Sequence, residues 1–256
     1  MQLPGFDGVE VSAEGQTTLV FMRGAGPCVL VMTEMPGITP AVAAFARKIA
    51  DAGFTVWMPQ LFGTPGRGLS AAAFASSLVA VCVSREFALL SSNRASPMTD
   101  RLRALGREGW ARCGGPGIGA IGMCITGNFA LTLALDPHVL APVLCQPSLP
   151  FGVTKGQRAG IHAAPDTMAR LAERGQPVVC VRFSHDKLVP QARIDTLRAG
   201  LGACLADHCI DSGPGNPHRI SGKSHSALTA DLVDVQGHPT KAALDAVMSF
   251  FRERLR

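Results

Sequence analysis

Short continuous apolar runs recur along the chain, and segments with a different, helical spacing of apolar residues lie between them. A run such as Cys28–Met32 is typical of a strand that is buried on both faces of a sheet. Between residues 40 and 50, Val42, Phe45 and Ile49 are spaced by three and four positions, which predicts a helix. The alternation of such segments predicts an α/β fold, with a mostly parallel central sheet and helices on both faces.

The pattern begins with a predicted β-hairpin, in which residues 9–11 and 18–21 flank a turn at 13–15. Further strands are predicted at 28–32, 55–58, 118–123, 143–145, 178–183 and 205–210. Helices are predicted at 40–50, from 70 towards 90, and at 96–113, 126–135, 165–174, 190–201 and 240–256. Residues 147–164 form a predicted irregular segment, and whether it acts as a lid is left open. Since no repeat or linker divides the chain, we expect one domain over residues 1–256.

Composition and charge favour a globular protein without nucleic acid or membrane partners. Hydrophobic residues make up 47% and charged residues 17%, which is not a disordered composition. The net charge is +5, but the basic residues are scattered and are not interleaved with aromatic residues, so nucleic-acid binding is disfavoured. The first residues lack the basic and apolar regions of a signal peptide, and the longest uncharged run, 69–84, is too short for a membrane span. We therefore expect a cytoplasmic protein.

The eight cysteines occur singly, without a C-x-x-C pair, and the seven histidines are dispersed. Cys28, Cys145 and Cys180 lie inside apolar, strand-like runs. This distribution favours reduced thiols in a cytoplasmic protein over a disulfide framework or a zinc site. We predict no metal site.

Residues 120–131 read as an apolar strand, an abrupt turn and a helix, with Cys124 on the turn. Gly122 and Gly127 flank the cysteine, and small residues are needed beside a nucleophile on such a sharp turn. The positive end of the following helix favours a thiolate. The segment thus predicts a nucleophile elbow that carries cysteine. The alternative, a small buried hydrophobic side chain, remains open on this motif alone.

Two loops directly after predicted strands supply partners for a cysteine nucleophile. Asp186 follows the strand that ends at residue 183, and His225 lies in a loop after the last strand. The order Cys124, Asp186, His225 is the nucleophile–acid–base order of α/β-hydrolases. Asp186 has the alternative role of capping a turn. His218 and His238 are rivals of His225, whereas His208 lies within a predicted strand and is a poorer candidate base.

Glu34 follows a buried strand, where an isolated carboxylate is costly. It either interacts with the positive end of the next helix or lies beside Cys124 and modulates the thiol. In the second case the backbone N–H groups of Met35 and Ile125 form an oxyanion hole, with one donor from each loop.

Arg85 continues an apolar helical stripe formed by Phe74, Leu78 and Val81. An arginine in that position either extends its charged end to the edge of the protein or meets an anion inside. The anion in the second case is a candidate substrate carboxylate.

Over residues 9–255 these motifs together resemble the dienelactone hydrolase family of α/β-hydrolases. No single motif is specific to the family, but the combination is. The family's G-x-C-x-G-G elbow falls on 122–127, its P-D-L-[FY] strand end on 59–62 and its G-x-D-x-x-V-P acid motif on 184–190. Its first-strand glutamate corresponds to Glu34, its histidine to His225 and its substrate-binding arginine to Arg85.

The resemblance implies an α/β-hydrolase fold and a Cys124–His225–Asp186 triad that hydrolyses a small ester or lactone through an acyl-thioester, without a cofactor. It also implies that Glu34 holds the cysteine in a resting state. The sequence departs from the family pattern at Gln60 and Thr126, and Thr229 occupies the place of a second carboxylate-binding arginine. One charge-assisted hydrogen bond is worth about 1.5–3 kcal/mol, so weaker binding of a dienelactone carboxylate is expected. The absence of tyrosine removes a pocket hydroxyl, and Leu89 lies near its place.

We therefore expect an ester or lactone hydrolase that is a monomer or a small homo-oligomer. The alternative is a non-catalytic protein on the same scaffold, with Arg85 holding a small anionic ligand. A redox role for Cys124 is a weaker option, because no resolving cysteine is close in sequence. The natural substrate is not defined by the sequence.

Overall fold

The computed structural model describes residues 2–68, 97–149 and 154–256, and these residues contain an eight-stranded sheet. Its strand order is β1-β2-β4-β3-β5-β6-β7-β8. The pairs β1–β2 and β2–β4 are antiparallel, and the remaining neighbours are parallel. The strands are β1 Asp7–Ala13, β2 Gln16–Arg23, β3 Cys28–Met32, β4 Thr55–Pro59, β5 Ile118–Met123, β6 Val139–Cys145, β7 Val178–Phe183 and β8 Leu205–Ile210. This architecture confirms the predicted mostly parallel α/β fold.

The described helices alternate with strands β3 to β8 along the chain, as the pattern predicted. They are α1 Pro40–Asp51, α2 Pro97–Cys113, α3 Phe129–Leu133, α4 Lys155–Ala159, α5 Thr167–Glu173, α6 Gln191–Leu201 and α7 Pro239–Leu255. Local sequence sets their ends. At α1, for example, the Thr39 hydroxyl accepts a hydrogen bond from the Val42 N–H at 3.2 Å, and Gly53 with a φ of 89° follows the last turn.

The core is divided between the two faces of the sheet, because side chains alternate along each strand. Val29 and Val31 of β3 belong to one buried cluster, together with residues of α1 and α7. Leu30 and Met32 belong to a second cluster, with residues of α2, α3, α5 and α6. This arrangement confirms helices on both faces.

Beyond small shifts at the ends of elements, three predictions differ from the structure. The helix predicted at 126–135 is reduced to a 3₁₀ turn, Cys124–Thr126, followed by the short helix α3. The segment 147–164, predicted as irregular, contains α4, because Thr154 and Gln157 form a capping box that starts a helix. Strand β6 begins at Val139, before the predicted position. The helix predicted from residue 70 lies outside the described residues.

Functional candidates are collected at one edge of the sheet, where the parallel strands end. Glu34 follows β3, Cys124 follows β5, Gln146 follows β6 and Asp186 follows β7. His225 lies in the long loop between β8 and α7. In open α/β sheets this carboxyl edge is where ligands bind.

Candidate active site

Cys124 lies on a sharp turn directly after β5. Its φ of 55° lies in the left-handed region that is unusual for a residue with a side chain. A Cβ atom on Gly122 would lie 2.1 Å from the Thr126 carbonyl oxygen, and one on Gly127 would lie 2.6 Å from the Pro147 Cα. Both glycines are therefore required by close backbone approach. The local geometry is that of a nucleophile elbow.

Thr126 ties this elbow to the neighbouring strand. Its buried hydroxyl oxygen accepts the Met123 N–H at 2.9 Å and lies 2.8 Å from the Met32 carbonyl oxygen, to which it donates. Met32 is the last residue of β3, so the hydroxyl holds the turn against the strand that leads to Glu34. The residue that departs from the glycine of the family motif thus has a structural role here.

His225 and Asp186 are in contact, although 39 residues separate them in sequence. His225 Nδ1 is 2.6 Å from Asp186 Oδ2. Asp186 Oδ1 also accepts the Leu188 N–H at 2.9 Å, so the turn-capping role holds together with the histidine contact. Backbone N–H groups of His225 and Ser226 both donate to Asp231 Oδ2 at 2.9 Å, which fixes the histidine loop from the other side.

The pKa of His225 is raised to about 10. Burial of the ring lowers this pKa, but the hydrogen bond to Asp186 and the neighbouring Cys124 sulfur outweigh that effect. Nε2 is buried and has no hydrogen-bond partner meeting normal geometry within the described part of the chain. The arrangement favours an imidazolium beside the cysteine at neutral pH.

The rival histidines lie elsewhere. His218 and His238 contact each other, with ring centroids 5.1 Å apart. His208 is part of β8 and pairs with Val181 of β7. Among these candidates the structure brings His225 to Asp186.

Met35 and Ile125 meet around Cys124. These three residues and Leu149 form a small buried cluster, with Phe62 packed against it. The Met35 amide donates no hydrogen bond among the described residues, and Ile125 is the middle residue of the 3₁₀ turn. Two loops therefore bring Met35 and Ile125 into one cluster with Cys124. That their amides form an oxyanion hole stays a prediction.

Glu34 is 5% exposed and has polar partners from two other loops. Its Oε2 accepts the Ser226 hydroxyl at 2.7 Å and the Gln146 side-chain amide at 3.1 Å. Its Oε1 accepts the Thr229 hydroxyl. Within the described contacts it makes no hydrogen bond to Cys124. Its direct partners are the histidine loop and Gln146. The predicted effect of Glu34 on the Cys124 thiol stays a prediction.

Gln146 was not a candidate in the sequence analysis, although a signal was present. It directly follows the apolar run of β6, at the same sheet edge as Asp186. Its φ of 36° is unusual for a residue with a side chain, and it is fully buried. A buried polar residue at the carboxyl end of a parallel strand is a reasonable site candidate.

Arg85, the predicted carboxylate-binding residue, lies outside the described residues, as does Leu89. Within the described residues, no group of three or more His, Cys, Asp and Glu side chains is arranged to hold a metal ion. A search of the described helices finds none that is long and apolar enough to cross a membrane.

Fold and site geometry define an α/β-hydrolase. The sequence profile of the dienelactone hydrolase family matches residues 16–255, so the chain belongs to that family. This confirms the resemblance seen in the sequence motifs. Membership of a hydrolase family implies a small-molecule substrate.

Solved structures with the same fold cover nearly the whole chain at low identity. A putative dienelactone hydrolase from Klebsiella pneumoniae has a TM-score of 0.61 and 16% identity, covering 97% of this chain and 99% of its own. A dienelactone hydrolase from Anabaena variabilis has a TM-score of 0.60 and 16% identity, covering 98% of each chain. A dienelactone hydrolase-like promiscuous phosphotriesterase from metagenomic libraries has a TM-score of 0.60 and 18% identity, covering 98% of each chain. A search of curated protein sequences finds no match. At these identities the structural likeness establishes the fold alone.

Proposed function

We propose that this protein is a cysteine hydrolase that cleaves a small carboxylic ester or lactone with a Cys124–His225–Asp186 triad. The observation that carries the proposal is the 2.6 Å contact between His225 Nδ1 and Asp186 Oδ2, next to a cysteine on a strained elbow. A nucleophile, a base and a group that orients the base are the three parts that such chemistry requires. Family membership supports the same class of reaction.

The reaction begins with attack of the Cys124 thiolate on the substrate carbonyl carbon. The carbonyl oxygen becomes an oxyanion, which the Met35 and Ile125 N–H groups bind. His225 then gives its Nε2 proton to the departing alkoxide as the C–O bond breaks, leaving an acyl-thioester on Cys124.

Hydrolysis of the acyl-thioester returns the enzyme to its starting state. His225 now takes a proton from a water molecule, whose oxygen attacks the thioester carbonyl. The same two amides bind the second oxyanion, and its collapse releases the carboxylic acid and the thiolate. Asp186 keeps the Nδ1 proton of His225 hydrogen-bonded throughout, which fixes the tautomer and the orientation of the ring.

Two further residues complete the proposal. Glu34 modulates the nucleophile, and Arg85 binds a carboxylate of the substrate. The enzyme works without a cofactor, as a single domain over residues 1–256, in the cytoplasm. Thr229 in place of a second arginine supports a substrate other than the dienelactones themselves.

The decisive experiment compares hydrolysis of activated aryl esters and unsaturated lactones by the wild type and by Cys124→Ala. We expect turnover in the wild type and a loss of about 10³-fold or more in the variant, since the nucleophile is removed. Cys209→Ala is the matched control, because Cys209 is an exposed cysteine on β8. Full activity in Cys124→Ala would refute the assignment. No turnover by either protein would favour the anion-binding alternative.

A further inference from the structure

One buried carboxylate connects the loops that carry the proposed oxyanion hole and the proposed general base. Glu34 is the direct sequence neighbour of Met35, whose amide is a proposed donor of the oxyanion hole. Its side chain accepts hydrogen bonds from Ser226 and Thr229, which lie one and four positions after His225. Gln146 adds a third hydrogen bond from the end of β6.

The segment that Glu34 contacts is itself a compact turn. Amide N–H groups of Thr229 and Asp231 both donate to the Ser226 carbonyl, at 3.1 and 3.0 Å. The Asp231 carboxylate in return accepts the N–H groups of His225 and Ser226. The Ser226 and Thr229 hydroxyls and the backbone of His225 therefore belong to one hydrogen-bonded turn. Contacts that fix these hydroxyls also fix the backbone of His225.

The partners of Glu34 are all neutral, and within the described residues it forms no ion pair. A buried carboxylate that loses its hydrogen-bond donors is strongly disfavoured. Moving Glu34 towards Cys124 would break contacts on both carboxylate oxygens. The observed contacts thus favour a fixed carboxylate over one that moves to the thiol.

We propose that Glu34, Ser226 and Thr229 form a hydrogen-bonded clamp that positions His225 against Cys124. This inference rests on the proposed cysteine-hydrolase function. Glu34 then acts on the nucleophile through the placement of the imidazolium, and it is a positioning residue. Thr229 occupies the position of the family's second arginine. Its hydroxyl is one of the two that hold the general base in a fixed position relative to the proposed oxyanion hole.

The test removes the Ser226 and Thr229 hydroxyls and measures the reactivity of the Cys124 thiol. Thr229→Val keeps the side-chain volume, and Ser226→Ala with Thr229→Val removes both contacts. Alkylation of Cys124 by iodoacetamide is measured by mass spectrometry of its peptide at pH 6 and at pH 9, together with kcat and KM on the best ester. Thr229→Ser is the conservative rescue, and Thr196→Val is the control for loss of an exposed threonine hydroxyl on α6.

We expect the double variant to lose about tenfold or more in the Cys124 alkylation rate at pH 6, because a neighbouring imidazolium makes a cysteine more reactive and the variant no longer holds His225 in place. At pH 9 the loss is about threefold or less, since an unassisted thiol ionises near that pH. In parallel kcat falls by about 10²-fold, of the order of one general base, while KM changes little. Thr229→Ser restores both readouts towards the wild type, and Thr196→Val matches the wild type.

A folded double variant that keeps the wild-type alkylation rate at pH 6 would overturn the clamp. If the double variant does not fold, the comparison of Thr229→Val with Thr229→Ser decides, with a loss of about threefold or more at pH 6 expected for valine alone. Failure of the hydrolase assignment is distinguishable. If the wild type hydrolyses no ester, but its Cys124 alkylation at pH 6 exceeds that of the double variant as expected, the proposed function is refuted and the clamp is supported.

Discussion

At the scale of single residues, His225 has the chemical state that the proposed reaction needs. Its raised pKa keeps the ring protonated at neutral pH. One proton, on Nδ1, is directed at Asp186, and the second is on the buried Nε2. An imidazolium beside a thiolate is the ion-pair form of a cysteine nucleophile. The adjacent Asp186 is the residue whose charge sustains this state.

Asp186→Asn is therefore expected to reduce kcat by about 10³–10⁴-fold, the magnitude seen when a triad loses its orienting carboxylate. The pKa of His225 falls in the variant, because its largest stabilising contact becomes uncharged. Ester hydrolysis measured from pH 6 to pH 10 checks both expectations. Asp211→Asn, a change at an exposed neighbouring carboxylate, is the control, and equal rates in the two variants would contradict the role of Asp186.

Arg85→Ala tests the carboxylate-binding prediction. We expect the ratio of kcat/KM for carboxylate-bearing esters to that for neutral esters to fall by roughly ten- to hundred-fold, equivalent to one charge-assisted hydrogen bond. Paired esters that differ in a single carboxylate provide the measurement, and Arg252→Ala on α7 provides the control. An unchanged ratio would remove Arg85 from the substrate site.

At the scale of elements, continuous apolar runs were sufficient to locate buried strands. The ranges Cys28–Met32 and Val178–Phe183 agree with the prediction at both ends. The helix after the elbow is shorter than its sequence pattern indicated, since the chain at Gly127 passes against Pro147 and the Thr126 hydroxyl bonds to the neighbouring strand β3. Those are contacts between elements, and a local pattern carries no information about them.

Gly127→Ala is expected to destabilise the protein by about 1–3 kcal/mol, because the new methyl group meets the Pro147 backbone. Gly156→Ala is the matched control. It lies on α4 with open space around the added Cβ atom, so a neutral effect or a gain of about 0.5–1 kcal/mol is expected. Urea denaturation measures both free energies of unfolding. A Gly127→Ala protein as stable as the wild type would show that the elbow tolerates a side chain there.

At the scale of the whole molecule, the His225–Asp186 pair couples folding to pH. The histidine pKa is about 10 in the folded protein and near 6.5 in the unfolded chain. The folded state therefore binds its proton more tightly, and the stabilisation is complete below about pH 6.5 and lost as the pH rises through about 10.

The difference in free energy of unfolding between the wild type and Asp186→Asn should accordingly be largest near pH 6 and shrink towards pH 10. Chemical denaturation at intervals across this range tests the sign. A difference that grows with pH would indicate that the folded state does not hold the histidine proton.

The sequence alone determined the α/β architecture, the elbow around Cys124 and the chain order of the triad candidates. These features depend on apolar runs, on small residues at a tight turn and on loops that directly follow strands, all of which are local. Only the tertiary structure decided which histidine meets Asp186 and what Glu34 contacts. Glu34 and Ser226 are 192 positions apart, and their contact exists because the sheet brings the ends of distant strands to one edge.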